Sequence, residues 1–225
     1  MIDELAETGA AQGFEGHESV WYLRLFSEMH ARYGFTADEF NTNDPDKTLE
    51  ILRKYSQTDS VDPKDFPNRV WLDPARAGAH SKVLPHAHVA SDFLTVSGEF
   101  LNVLDQFDLG RFASWPMTLL KKDKETPFEG EWFALWIGNQ KRGFLREKST
   151  SFEVPPYEDT KWLSIPNSGA LDGDFVMDAS VKDGPDIWTD STLSRSLMLS
   201  DRLHAALNDA GLLRRLKVLR CPVQA

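Results

Sequence analysis

The chain has 225 residues, 41% hydrophobic and 27% charged, with a formal net charge of −10. That length and apolar content support one large or two small folded domains without disulfides or metals, and they exclude wholesale disorder. A surface this acidic repels nucleic-acid phosphates, so no nucleic acid is expected as a partner, whereas a basic protein would be attracted.

The acidity is uneven: residues 1–70 hold 7 Lys+Arg against 14 Asp+Glu, and the remainder 18 against 21. The single cysteine, Cys221, has no partner for an internal disulfide and fits a reducing compartment. Met1 to Leu5 has neither the basic nor the apolar part of a signal peptide. The longest apolar run, Trp132 to Ile137, is strand-sized, far short of the ~18 residues that span a bilayer. The expected location is therefore the cytoplasm, with no membrane contact.

In chain order, Val20 to Phe26 is aromatic and reads as a strand. Asp44-Pro45 reads as a helix start, with Leu49, Leu52 and, less regularly, Ile51 and Tyr55 as its apolar face. Thr58 to Asn68, with two prolines and several acids, is a candidate boundary between an N-terminal α/β subdomain or extension (1–68) and a main α+β domain (69–225). Arg69 to Leu72 is a short strand, and residues 73–92 read as irregular. Ser97 is a helix cap, with Phe100, Leu101, Leu104 and Phe107 on the buried face and Gly110 past the end.

Two strands follow, Trp115 to Leu120 and Glu131 to Ile137. The second is apolar on both faces, with Trp132, Ala134 and Trp136 opposite Phe133, Leu135 and Ile137, so it belongs in the middle of a covered sheet. Short strands are expected at Trp162–Ile165 and Phe175–Met177. Ser200 caps a last helix with Leu203, Ala206, Leu207 and Ala210 inward and Gly211 at its end, before a terminal strand from Leu216. Strands scattered among a few helices without a βαβ rhythm predict an α+β fold with a mixed or antiparallel sheet.

No phosphate loop, dinucleotide-binding, nucleophile-elbow or zinc-protease motif occurs. The metal candidates are His80, His86 and His88 with Asp92 nearby, because an H-x-H pair on a strand turns both rings to one face. The competing reading is solvated or hydrogen-bonded histidines, and no cofactor is expected. Asp172, Asp174, Asp178, Asp183 and Asp186 form an acid cluster, but Gly173 and Gly184-Pro185 mark turns that favour Asp for backbone reasons. Cys221 has basic neighbours at Arg214, Arg215, Lys217 and Arg220 and would be a nucleophile if His204 lay beside it; buried filler is the plainer reading. Seven tryptophans serve mainly as core, and any exposed one is a natural protein-binding anchor.

From Leu84 onward the chain resembles a family of bacterial immunity proteins, first catalogued as a domain of unknown function and associated with polymorphic toxins and type VI secretion effectors. The resemblance rests on ordered steps: Val96-Ser97 with Phe100-Leu101 and Val103-Leu104; Trp115-Pro116-Met117; Glu131 to Ile137; Ser149; Gly184-Pro185-Asp186-Ile187-Trp188; and Leu199-Ser200-Asp201-Arg202-Leu203 with Ala206-Leu207 and Ala210-Gly211. It departs where the family has "L-P-D-F", here Leu84-Pro85-His86-Ala87, and where a basic residue follows the "D-x-W" step, here Thr189-Asp190.

The resemblance implies a stoichiometric inhibitor without catalytic turnover, whose partner is a cognate toxin or secreted effector such as a basic nuclease. Asp38, Glu39, Asp44 and Asp46 are the expected partner-binding acids. The alternative is a metal-dependent enzyme or small-ligand-binding protein using His80, His86, His88 and Asp92.

Overall fold

A computed structural model describes residues 18–26, 32–37, 45–56, 60–73, 83–154, 163–164 and 169–225. Among them are three α-helices and fourteen strands, and the fold is α+β. The strands are β1 (Ser19–Leu23), β2 (Arg32–Tyr33), β3 (Phe35–Thr36), β4 (Arg69–Leu72), β5 (Ala87–Ala90), β6 (Phe93–Ser97) and β7 (Phe112–Pro116). They continue with β8 (Thr118–Leu120), β9 (Trp132–Ile137), β10 (Gln140–Lys141), β11 (Met177–Asp178), β12 (Ile187–Asp190), β13 (Met198–Ser200) and β14 (Val218–Gln224). The helices are α1 (Pro45–Tyr55), α2 (Gly98–Leu104) and α3 (Asp201–Asp209).

The strands form a six-stranded sheet ordered β10-β12-β13-β1-β14-β11, a five-stranded sheet ordered β2-β5-β6-β9-β7, and a three-stranded sheet ordered β3-β4-β8. Period-two alternation explains how they stack. On β1, Val20 and Tyr22 enter one core with Trp188, Met198 and Cys221, while Leu23 enters another. That second core is shared by both large sheets, for it also holds Leu94, Val96, Leu135 and Leu199, and Leu101, Leu104, Leu203 and Leu207 of α2 and α3 close it. On β9, Ala134 and Trp136 face a third core with Phe35, Ile51, Phe66 and Trp115. The expected two-faced β9 is thus an interior strand between β6 and β7, walled by a core on each side.

Several expectations need correction. The described residues before 68 pack into the rest: β1 lies between β13 and β14, and Phe35, Ile51 and Phe66 share a core with Trp115 and Trp136. Helix α1 turns Ile51 inward and leaves Leu49 48% exposed. The rotation follows Tyr55, whose hydroxyl donates to the Leu135 carbonyl at 2.6 Å and accepts the Leu94 N–H at 3.2 Å.

Residues 87–97, expected to be irregular up to 92, form the hairpin β5–β6, closed by Ser91 and Asp92 at φ 52° and 67°. The expected strand Trp115–Leu120 is two strands in different sheets. The chain changes partners at Met117, whose N–H donates to Trp132, while that of Thr118 donates to Asn68. Of the expected strand at 162–165, only Leu163 and Ser164 are described, each in an isolated bridge.

Candidate functional site

The sequence steps around residues 108, 186 and 200 meet at one point. Ser200 accepts the Leu203 N–H at 3.2 Å, capping α3, and its hydroxyl donates to Asp186 at 2.5 Å. Arg202, two residues further on in the first turn of α3, grips the same carboxylate with Nε at 2.6 Å and Nη2 at 2.7 Å. The Asp108 N–H adds a fourth donor at 3.1 Å. Burial opposes ionisation of Asp186, but the hydrogen bonds from Arg202 and Ser200 outweigh it and hold the carboxyl below its ordinary value.

Next to this knot, Asn139 accepts the Arg111 N–H at 2.8 Å and donates to the carbonyls of Leu109 at 2.7 Å and Ile187 at 2.9 Å. Gly110 fits between: at φ 54°, a Cβ there would lie 2.5 Å from Pro185 Cγ and 2.6 Å from Asn139 Oδ1. The glycine therefore serves close packing and not the end of α2, which stops at Leu104. Lys141 completes the region, donating to the carbonyls of Val181 at 2.8 Å and Pro185 at 2.9 Å with its ammonium over the Trp188 ring.

The knot ties α3 to the segment after α2, and both helical segments carry exposed acids. Residues 98–110 carry Glu99, Asp105 and Asp108 and no lysine or arginine. Helix α3 adds Asp201 and Asp209, and all five carboxylate residues are exposed. The one lysine or arginine of α3, Arg202, is committed to Asp186. At the edge of this layer Trp21 stacks on His204 with ring centroids 3.6 Å apart and planes 8° apart, and its indole N–H donates to Asp201 at 2.8 Å. Trp21 and His204 are both half-buried, so an aromatic pair lies at the margin of an acidic face.

The other predicted residues fall as follows. Asp38, Glu39, Asp44 and His80 lie outside the described residues. Asp46 is exposed in the first turn of α1, beside Lys47 on a helix that also carries Arg53 and Lys54. His86 precedes β5 near the surface, its Nδ1 2.9 Å from Ser97 Oγ and 3.3 Å from Glu99. His88 is wholly buried between Phe35 and Trp132, its Nδ1 3.3 Å from the Pro85 carbonyl. Burial lowers its pKa to about 4. Asp92 sits in the hairpin turn at the far end of β5, roughly 10 Å along the strand from His88. Among the described residues, no three His, Cys, Asp or Glu side chains are grouped to hold a metal.

The acid cluster is dispersed into local roles. Asp172 accepts the Arg220 N–H, Asp174 the Leu171 N–H and Asp178 the Ser180 N–H, while Asp186 belongs to the knot. Cys221 and His204 are on opposite faces of the six-stranded sheet. Cys221 pairs with Val20 in the core beneath, whereas His204 stacks on Trp21 above. Burial, not the basic neighbours, governs the thiol and pushes its pKa up. The acidic helical layer is the feature that sequence reasoning missed, since its members are spread over Glu99 to Asp209 and only the packing of α2 on α3 collects them.

No family model matches the chain, and no curated protein is significantly similar to it. Among the described residues, no helix is long and apolar enough to cross a membrane.

Proposed function

We propose that this protein is an immunity protein, a stoichiometric inhibitor that binds a cognate bacterial toxin or secreted effector and blocks it without turnover. The observation that carries the reading is the exposed helical layer with Glu99, Asp105, Asp108, Asp201 and Asp209, whose one internal arginine is occupied by Asp186. A surface of this sign speeds encounter with a basic protein and can occupy a groove built for phosphates. The Trp21–His204 pair at its edge supplies the aromatic area that interface hot spots favour. Further support comes from the resemblance of residues 84–225 to immunity proteins.

The test is co-expression with the product of the adjoining gene, followed by pull-down and size exclusion over a range of salt. A stable complex that relieves the neighbour's toxicity and weakens with salt is expected. Within it, Asp105→Lys combined with Asp209→Lys slows association while a salt-insensitive mutant of a buried residue would not. Absence of both complex and rescue refutes the reading.

A further inference from the structure

One concave site lies beside the acidic face and shares Asp209 with it. A cleft of about 380 Å³ opens between residues Val83 to His86, which lead into β5, and the turn after α3. Arg214, Arg215 and Asp209 line it from the α3 side and His86 from the other. Leu84, Pro85 and Ala210 give it apolar wall.

The turn is built in a way that gathers cations. Helix α3 ends with the Gly211 N–H donating to Asn208 and the Leu212 N–H to Leu207, Gly211 standing at φ 72°. The Arg214 guanidinium lies over Gly211, with Nε 3.5 Å from where a Cβ would be. Arg215 adopts φ 70°, a left-handed conformation few non-glycine residues take, and its Nη1 reaches across to the Val83 carbonyl at 3.4 Å. That contact uses one of five guanidinium donors and leaves the fork at the cleft.

The charge balance favours an anion. Among the lining residues two guanidiniums face the one carboxylate of Asp209 and the helix C-terminus, whose dipole amounts to about half a negative charge. Glu99, 3.3 Å from His86 Nδ1, is not part of the lining. The guanidinium pair stands out on a chain of net charge −10, and residues 210–225 contain Arg214, Arg215, Lys217 and Arg220 with no acid.

We propose that this cleft binds a small organic anion through its carboxylate or phosphate group, held by Arg214 and Arg215 against the His86 wall. The volume admits a metabolite-sized molecule. Planar, multi-donor recognition of these two oxyanions is what a guanidinium does best, so both belong to one chemistry.

The experiment is an amide-resolved NMR titration of the full chain with sodium phosphate and, separately, sodium acetate, at constant ionic strength set with sodium chloride. Saturable shifts confined to His86, Gly211, Arg214 and Arg215 are expected with at least one of them. Saturation by phosphate alone identifies a phosphate ligand, and saturation by acetate alone a carboxylate. Arg214→Gln and Arg215→Gln, with the rest of the spectrum unchanged, each weaken binding by about tenfold or more. Asp209→Asn, which removes the opposing charge without touching the guanidiniums, tightens it severalfold. Shifts that stay linear with both salts, or saturable shifts unaltered in all three variants, overturn the proposal.

Discussion

Removing the charge of Asp186 tests the knot that ties α3 to the segment after α2. The carboxylate is 1% exposed and receives four donors, three from Ser200 and Arg202 and one from the Asp108 backbone. Asp186→Asn keeps the shape but forfeits the charge-assisted part of those bonds, at about 2–3 kcal/mol. The liberated Arg202, already 67% exposed, rehydrates easily, so the cost stays below the full penalty for a stranded buried charge. Arg202→Met is the harsher direction chemically, because it leaves the carboxylate buried. Yet Ser200 and Asp108 still donate, and about 2 kcal/mol is expected.

The two changes share one interaction, so the double variant should cost about 1–2 kcal/mol less than the sum. Urea unfolding followed by tryptophan fluorescence measures all three. Because the Asp186 carboxyl is held below its ordinary 3.8, the wild-type advantage over Asp186→Asn is fully present above that value and fades as pH falls through the lower folded one. Singles within about 0.5 kcal/mol of wild type, or strict additivity, would show that the knot contributes nothing beyond surface pairing.

Gly110→Ala meets Pro185 and Asn139 and is strained at φ 54°, and calorimetry should register a loss of about 2 kcal/mol or more. His88 is buried with a folded pKa of about 4 against an ordinary 6.5, so the unfolded chain binds the proton first as pH falls. Its contribution is complete above pH 6.5 and is lost down to about pH 4, amounting to about 3 kcal/mol. His88→Leu should flatten the stability profile across that window, and an unchanged slope would contradict the assignment. The Cys221 thiol, wholly buried and with its pKa raised, should ignore a disulfide reagent in the native state and react once the chain is unfolded. Rapid native labelling would place it elsewhere.

The parts of the fold legible in the sequence are those with local rules. Ser97 and Ser200 cap α2 and α3 as their position before an apolar period requires, and the two-faced pattern of Trp132 to Ile137 marks an interior strand. What was missed depends on distant partners. The β5–β6 hairpin turns on Ser91-Asp92, where glycine or asparagine is the usual signal. Leu49 fits the helical period of α1 as well as Ile51 does, and the Tyr55 hydroxyl, seeking Leu135 and Leu94, decides the rotation. Ala210, expected inward on α3, is exposed because the helix has already ended at Asp209.

The same limit applies to the site. His86 and His88 share a strand-like spacing, yet one lies at the surface with Ser97 and Glu99 and the other is enclosed by aromatic rings. Spacing gives the direction of a side chain but not the depth of what covers it. The acidic helical layer is assembled from residues more than a hundred positions apart, which no local pattern encodes.

The place of β1 between β13 and β14 governs how the chain comes to life on the ribosome. Ser19 pairs with Pro222 and Val20 with Ser200, separations of 203 and 180 positions. At roughly 5–20 residues per second, β1 emerges many seconds before either neighbour exists. Until then its Val20-Trp21-Tyr22 edge is an unpaired apolar template of the kind that invites aggregation. Such long-range closure is also intrinsically slow. The six-stranded sheet is therefore completed only after Val218 to Gln224 has cleared the exit tunnel, and nascent-chain holdases have a defined segment to shield until that moment.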